Sequence, residues 1–143
     1  MKISRDMAAA LLASAAFCLV VGLGFWKTRG PGAQRLIRAD EKRITAIAQL
    51  AGQISNDYNR HNKQLPSVLS EEQKRQFKDP LTQRPIEYTV RSATGFSLCT
   101  DFSASSPPDY KEVPYEFWQH PAGHKCFDFE AGGPIAQAPY FYY

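Results

Sequence analysis

Residues 7–26 carry no charged side chain, and this run constrains the chain more than any other feature. It is about 20 residues long, and at 1.5 Å per residue a helix of that length crosses roughly 30 Å of hydrocarbon. Trp26, Lys27 and Arg29 follow as an interfacial aromatic with basic flanks, the pattern of a membrane anchor. Ala13-Ser14-Ala15 offers the small residues of a signal-peptide cleavage site. Cutting there would leave the apolar residues 16–26 as the new start of the chain, so the run is read as a retained transmembrane helix. Cys18 is no lipid attachment site, because bulky Phe17 precedes it; it is a small apolar residue within the span. The chain has 143 residues, which leaves room for one small domain beyond the anchor.

That remainder is foldable. Charged residues make up 22% of the chain and aromatics 13%, too many aromatics and too little net charge for a disordered segment. Gly30-Pro31-Gly32 breaks helical continuity, so residues 27–37 are expected to form a hinge. Ile44, Ile47, Ala48, Ala51, Ile54 and Tyr58 then recur at three- and four-residue steps, one apolar face of a long helix. Asp40 is placed to cap its start, and Arg60-His61-Asn62 suits its end. Leu65-Pro66 is a stop, and Ser70-Glu71-Glu72-Gln73 is a capping box opening a short helix to about Phe77.

From Asp79-Pro80 the period changes. Ile86, Tyr88 and Val90 alternate with Glu87, Thr89 and Arg91, a half-buried strand. Ser92-Ala93-Thr94-Gly95 is a hairpin turn. Phe96, Leu98, Thr100 and Phe102 share one face of the next strand, with Ser97, Cys99 and Asp101 on the other. After a Ser/Pro-rich excursion punctuated by Pro107-Pro108 and Pro114, a third strand is expected over residues 125–129. There Phe127 and Phe129 point one way and Cys126 the other. The class is therefore α+β, with a long amphipathic helix packed on a small antiparallel sheet.

In both strands the cysteine lies opposite the aromatic face, so Cys99 and Cys126 are expected to share the outer face and to bond. A loop of roughly 28 residues closed this way stabilises the fold by about 3–4 kcal/mol on the chain-entropy model. Disulfides persist in oxidising compartments. Charge points the other way: Lys27, Arg29, Arg35 and Arg38 after the span outnumber Lys2 and Arg5 before it, which by the positive-inside rule favours a cytoplasmic domain. The cysteine pair decides the reading in favour of a bacterial inner-membrane protein with a periplasmic domain. Residues 27–100 hold 13 Lys and Arg against 7 Asp and Glu, and residues 101–143 hold 2 against 6. The basic half can lie on anionic lipid head groups or form a solvated helix face. Without an aromatic stacking platform it is no nucleic-acid stripe.

One membrane helix, one long amphipathic helix and a small antiparallel sheet resemble the type IV pilin fold, and most closely the major pseudopilin of type II secretion. Residues 59–69, Asn-Arg-His-Asn-Lys-Gln-Leu-Pro-Ser-Val-Leu, resemble that family's passage from helix to a Leu/Tyr-Pro turn. Lys78-Asp79-Pro80 with Arg84-Pro85-Ile86-Glu87-Tyr88 resembles its Lys-Asp-Pro-Trp-Gly-Asn-Pro-Tyr-x-Tyr segment. Leu98-Cys99, Trp118, residues 120–124 and Cys126-Phe127 are also similar to extracytoplasmic domains of bacterial membrane proteins. The resemblance covers residues 38–102 and implies a pilin-like domain. A pseudopilin-type component of a secretion or pilus apparatus is therefore an alternative reading, but filament assembly needs a Gly-Phe-type cleavage junction and a glutamate five residues into the mature chain. Residues 1–6 contain no glycine and residues 7–26 no glutamate.

Candidate chemistry is sparse. His120, His124 and Cys126 form an H-x3-H-x-C cluster suited to zinc or copper, the basis of an alternative reading as a metal-binding or redox accessory protein. Asp101, Asp109 and Asp128 fit no calcium loop. No haem attachment motif, phosphate loop or nucleophile elbow occurs, so no catalytic residue, cofactor or small-molecule substrate is assigned. Residues 131–143 read as a tail beyond a domain spanning 38–130, leaving through Gly132-Gly133-Pro134. Its aromatic end, Tyr140, Phe141, Tyr142 and Tyr143, either folds back or docks on a neighbouring subunit or the membrane surface. The expected role is a non-catalytic accessory or structural subunit whose partners are membrane lipids and other membrane-protein subunits. Residues 1–6 would lie in the cytoplasm.

Overall fold

A computed structural model describes residues 5–27, 31–107 and 115–139. The chain divides into two compact units, residues 1–35 and 36–143. In the first, helix α1 runs over Arg5–Lys27. Leu11, Phe17, Leu19, Val20 and Leu23 are all more than half exposed along it. Among the described residues no helix is long and apolar enough to cross a membrane; the unbroken run of described side chains in α1 covers only residues 13–24. The side chains of Trp26 and Lys27, and all of Arg29, lie outside the described residues.

Helix α2 occupies Pro31–Arg60, so the hinge expected over 27–37 does not reach that far. Pro31 is the first helical residue, where its missing N–H costs nothing and its fixed φ suits the first turn. Asp40 is correspondingly not a cap but an interior, buried residue. The apolar stripe forms as expected and is wider by one residue: Ile44, Ile47, Leu50, Ala51, Ile54 and Tyr58 are buried, and Ala48 packs at the margin. The helix ends where Asn62 and Lys63 adopt positive φ, and the Lys63 amide donates to the Tyr58 carbonyl at 3.0 Å.

Ser70 and Gln73 form the expected capping box of α3, Glu71–Gln76. Between α3 and the sheet, Asp79 builds a turn. Its carboxylate accepts the amides of Leu81 and Thr82 at 2.8 and 2.6 Å, and its own amide donates to the Arg84 carbonyl at 2.8 Å.

The sheet has three antiparallel strands in the order β1-β2-β3, at Glu87–Val90, Gly95–Phe102 and Gly123–Glu130. The β1–β2 turn closes with the Gly95 amide donating to Ser92 Oγ at 2.7 Å. A Cβ at Gly95 would stand 2.7 Å from that oxygen, so a larger residue here would push the Ser92 side chain out of this bond. Phe96, Leu98 and Phe102 of β2 join Phe127 and Phe129 of β3 and the stripe of α2 in one core. Trp118, in a 3₁₀ turn at Glu116–Trp118, is fully buried there. Phe96 stacks on Phe129 at 5.5 Å, and Trp118 lies 5.2 Å from Phe127.

The segment after β3 does not leave the domain at Gly132-Gly133-Pro134. The Gly132 amide donates to Ser55 Oγ at 3.0 Å, at φ +82° against the Tyr58 ring. Ile135, Ala136 and Ala138 pack on the core, Pro139 is buried, and Trp118 Nε1 donates to the Gln137 carbonyl at 2.7 Å. The domain therefore extends to residue 139. Tyr140, Phe141, Tyr142 and Tyr143 lie outside the described residues.

Arg43 is buried between two carboxylates. It donates to Asp40 and Asp79 and, at 2.9 Å, to Ser103 Oγ. Asp40 in turn accepts the Ser103 and Ala104 amides, each at 2.9 Å. Removing one member leaves an uncompensated buried charge, which costs about 3–5 kcal/mol. Arg43→Ala should lower the unfolding free energy by that amount in a urea titration of the full chain in mild detergent, followed by near-ultraviolet circular dichroism. Arg75→Ala, which breaks an exposed pair with Glu72, should change it by less than about 0.5 kcal/mol.

Candidate functional site

Strand alternation sorts the side chains of the sheet into an aromatic inner face and a polar outer one. On the outer face Ser97, Cys99 and Asp101 of β2 stand opposite Asp128, Cys126 and His124 of β3 in direct register. Glu87 of β1 is the register partner of Cys99 on its other side. The face is thus three cross-strand pairs in a row.

The middle pair is the disulfide Cys99–Cys126, whose Cα atoms are 4.0 Å apart. The expected shared face and strand adjacency are both present. Cys99 is buried and Cys126 half-buried. Cys18 is the free cysteine.

On one side of the disulfide, Ser97 Oγ and Arg91 Nη1 both reach Asp128 Oδ1, a surface bridge of little energetic weight. On the other side, His124 Nδ1 lies 3.2 Å from Asp101 Oδ1, and Nε2 of the same ring is 3.7 Å from Cys126 Sγ. An ionised carboxylate only accepts, so the Asp101 contact places the ring proton on Nδ1 and leaves the Nε2 lone pair free. A small cleft reaches Cys99 from the opposite edge, lined by Asp79, Thr82, Arg84, Glu87 and Asp101.

The histidine–cysteine cluster read from sequence does not assemble as H-x3-H-x-C. His120 is buried, with its ring stacked on Phe102 at a centroid distance of 3.8 Å. Its amide donates to Ser106 Oγ at 3.2 Å. It precedes β3 and packs with the inner face, whereas His124 and Cys126 occupy the outer one. Burial holds its pKa below the usual histidine value, against the raising effects of the Pro121 carbonyl, Asp40 and the Ala104 carbonyl. His120 is a core residue. The partner that does join His124 is Asp101, which period two could have supplied: Asp101 follows Cys99 by two and His124 precedes Cys126 by two. Asp109 lies outside the described residues.

The remaining polar cluster, Asp40–Arg43–Asp79, is fully satisfied. Among the described residues no buried side-chain nitrogen or oxygen lacks a partner. Burial works against the Asp79 charge, but the Arg43 bond and the Thr82 and Leu81 amides outweigh it and hold the carboxyl down at about 2. This is the signature of a structural ion pair. No family model, curated protein or solved structure matches this chain.

Both perturbed groups make the domain sensitive to acid. His120 titrates at its ordinary 6.5 when unfolded and lower when folded, so the unfolded chain binds the proton first. Stability is then whole above pH 6.5 and declines below it. Asp79 goes from 3.8 unfolded to about 2 folded. Its contribution, on the order of 2 kcal/mol, is present above pH 4 and disappears as pH falls towards 2. Thermal melts across pH 2–8 should show both declines, and His120→Phe should abolish the upper one while leaving the lower.

Proposed function

We propose that this chain is a single-pass membrane anchor presenting a small pilin-like α+β domain for protein contacts. It serves as a non-catalytic accessory or structural subunit of a bacterial inner-membrane assembly. One observation carries the reading: residues 13–24 of α1, which include no charged residue, are exposed throughout. A helix hydrophobic all round belongs in a bilayer or inside a partner. The uncharged run at residues 7–26 supplies the length for a bilayer. The Cys99–Cys126 bond favours the oxidising, periplasmic side for the domain. The long helix on an antiparallel sheet, with the Lys78-Asp79-Pro80 turn between them, supports the pilin-like description. Lipids and neighbouring membrane subunits are the partners.

Cys18 gives a direct test, since it would sit inside the bilayer. In intact membranes a soluble maleimide should leave Cys18 unmodified, and detergent should make it reactive. Labelling without detergent would place α1 in water or in a protein groove open to it. Protease added outside spheroplasts should degrade the domain; protection there would put the domain in the cytoplasm.

The terminal aromatics are the proposed contact with a neighbouring subunit. Because residues 131–139 pack on their own domain, the informative truncation falls after Pro139. It should leave the melting temperature unchanged while lowering recovery of co-purified membrane subunits several-fold. Equal recovery at equal salt removes the tail from the interface.

A further inference from the structure

The ligand atoms of Cys99, His124 and Cys126 lie within 4.8 Å of one another. Two sulfurs and one imidazole nitrogen at that separation form a zinc-type donor set. The ring is also prepared for a metal, because the Asp101 carboxylate fixes the Nδ1 proton at 3.2 Å and turns the Nε2 lone pair towards Cys126 Sγ, 3.7 Å away. A carboxylate behind a histidine is the usual outer support of a histidine ligand and fixes the direction of its ring. In the oxidised protein the sulfurs are tied to each other and no thiolate is available.

We propose that the outer face of the sheet is a disulfide-gated zinc site, with Cys99, Cys126 and His124 as ligands and Asp101 as the positioning residue. A protein dithiol reduces the bond: two electrons pass from the dithiol, which becomes a disulfide, the Cys99–Cys126 bond breaks, and each sulfur gains a proton. Zinc then displaces both thiol protons to solvent and takes two thiolates and the His124 Nε2. In tetrahedral coordination the sulfurs stand about 3.8 Å apart, and sulfur and nitrogen about 3.6 Å. The His124–Cys126 separation already has that value. The cysteines reach it by rotation of their side chains on strands that stay paired. His124 is 53% exposed, so the fourth position is open to water or an exchangeable ligand. Glu87, the register partner of Cys99, adds negative charge to the same face. His120 has no part in the site.

The inner face lets the site outlast reduction. Eight register pairs join β2 and β3, and Phe96, Leu98, Phe127 and Phe129 remain buried behind them. The proposal does not depend on the membrane reading, and its test has a separate readout.

The test uses the full chain in mild detergent, carrying Cys18→Ser so that only the paired thiols report. After reduction with a phosphine, which unlike a dithiol does not compete strongly for metal, Co2+ is added under argon. The reduced protein should bind one Co2+ per chain, with a thiolate charge-transfer band in the near ultraviolet and tetrahedral bands in the visible, both bleached by Zn2+. The oxidised protein should show neither. His124→Ala should weaken binding at least about 10-fold and Asp101→Asn roughly 10- to 100-fold, with near-ultraviolet circular dichroism unchanged in the oxidised state. Three results overturn the proposal: equal binding by the oxidised protein; a reduced protein without the charge-transfer band, whether it stays folded or unfolds without rescue by Zn2+; or wild-type affinity in both variants.

Discussion

Arg43 is held between Asp40, near the start of the unit formed by residues 36–143, and Asp79, at the turn that leads into β1. Through Asp40 the same cluster takes the amides of Ser103 and Ala104, where the chain leaves β2. Helix, turn and strand end thus meet at one guanidinium, which fixes where the helix stripe lies over the sheet. Burying three charges is expensive, and an apolar substitute of the same volume can be equally stable. The arrangement therefore contributes position more than energy. A guanidinium has donors in fixed directions, and Arg43 uses them on Asp40, Asp79 and Ser103, three points far apart in sequence.

How much of this could be read in the sequence depends on the range of the signal. The α2 stripe, the α3 capping box, the β1–β2 hairpin and the facing of Cys99 and Cys126 are local or strictly periodic, and each was legible. Asp before an apolar periodic run is also what an N-cap looks like, so the sequence alone places Asp40 at a helix start. Only its long-range partners, Arg43's second carboxylate and the 103–104 amides, distinguish the two. The extension of the helix back to Pro31 is hidden for a related reason. A Gly-Pro-Gly triplet reads as a break, yet proline at the first helical position can begin a helix.

Residues 131–139 show the same limit. Gly132-Gly133-Pro134 has the composition of a flexible exit, and a sequence cannot show that Ser55 and Tyr58 wait to receive it. The chain turns at Gly132 with positive φ, Ile135, Ala136 and Ala138 pack on the core, and the Trp118 indole N–H meets the Gln137 carbonyl. A buried tryptophan needs such an acceptor, and none was evident near residue 118 in the sequence. In the candidate site, Cys99 and Cys126 were legible and Asp101 with His124 were not joined. His120 was grouped with His124 because they are close in sequence, although the start of β3 falls between them and puts them on opposite sides of the sheet.

The two faces of the sheet are coupled through register. A slip of one residue between β2 and β3 would turn Phe127 and Phe129 outward and Cys126 and His124 into the core. The inner-face pairs Phe96–Phe129 and Leu98–Phe127 therefore select the register that sets Cys99 against Cys126 and Asp101 against His124. Hydrophobic burial, not the disulfide, is what decides which outer side chains meet. The disulfide stabilises the fold chiefly by restricting the unfolded chain, so breaking it narrows the stability margin without specifying a different pairing. Whatever chemistry the outer face performs with its thiols free is performed on a scaffold that the inner face has already aligned.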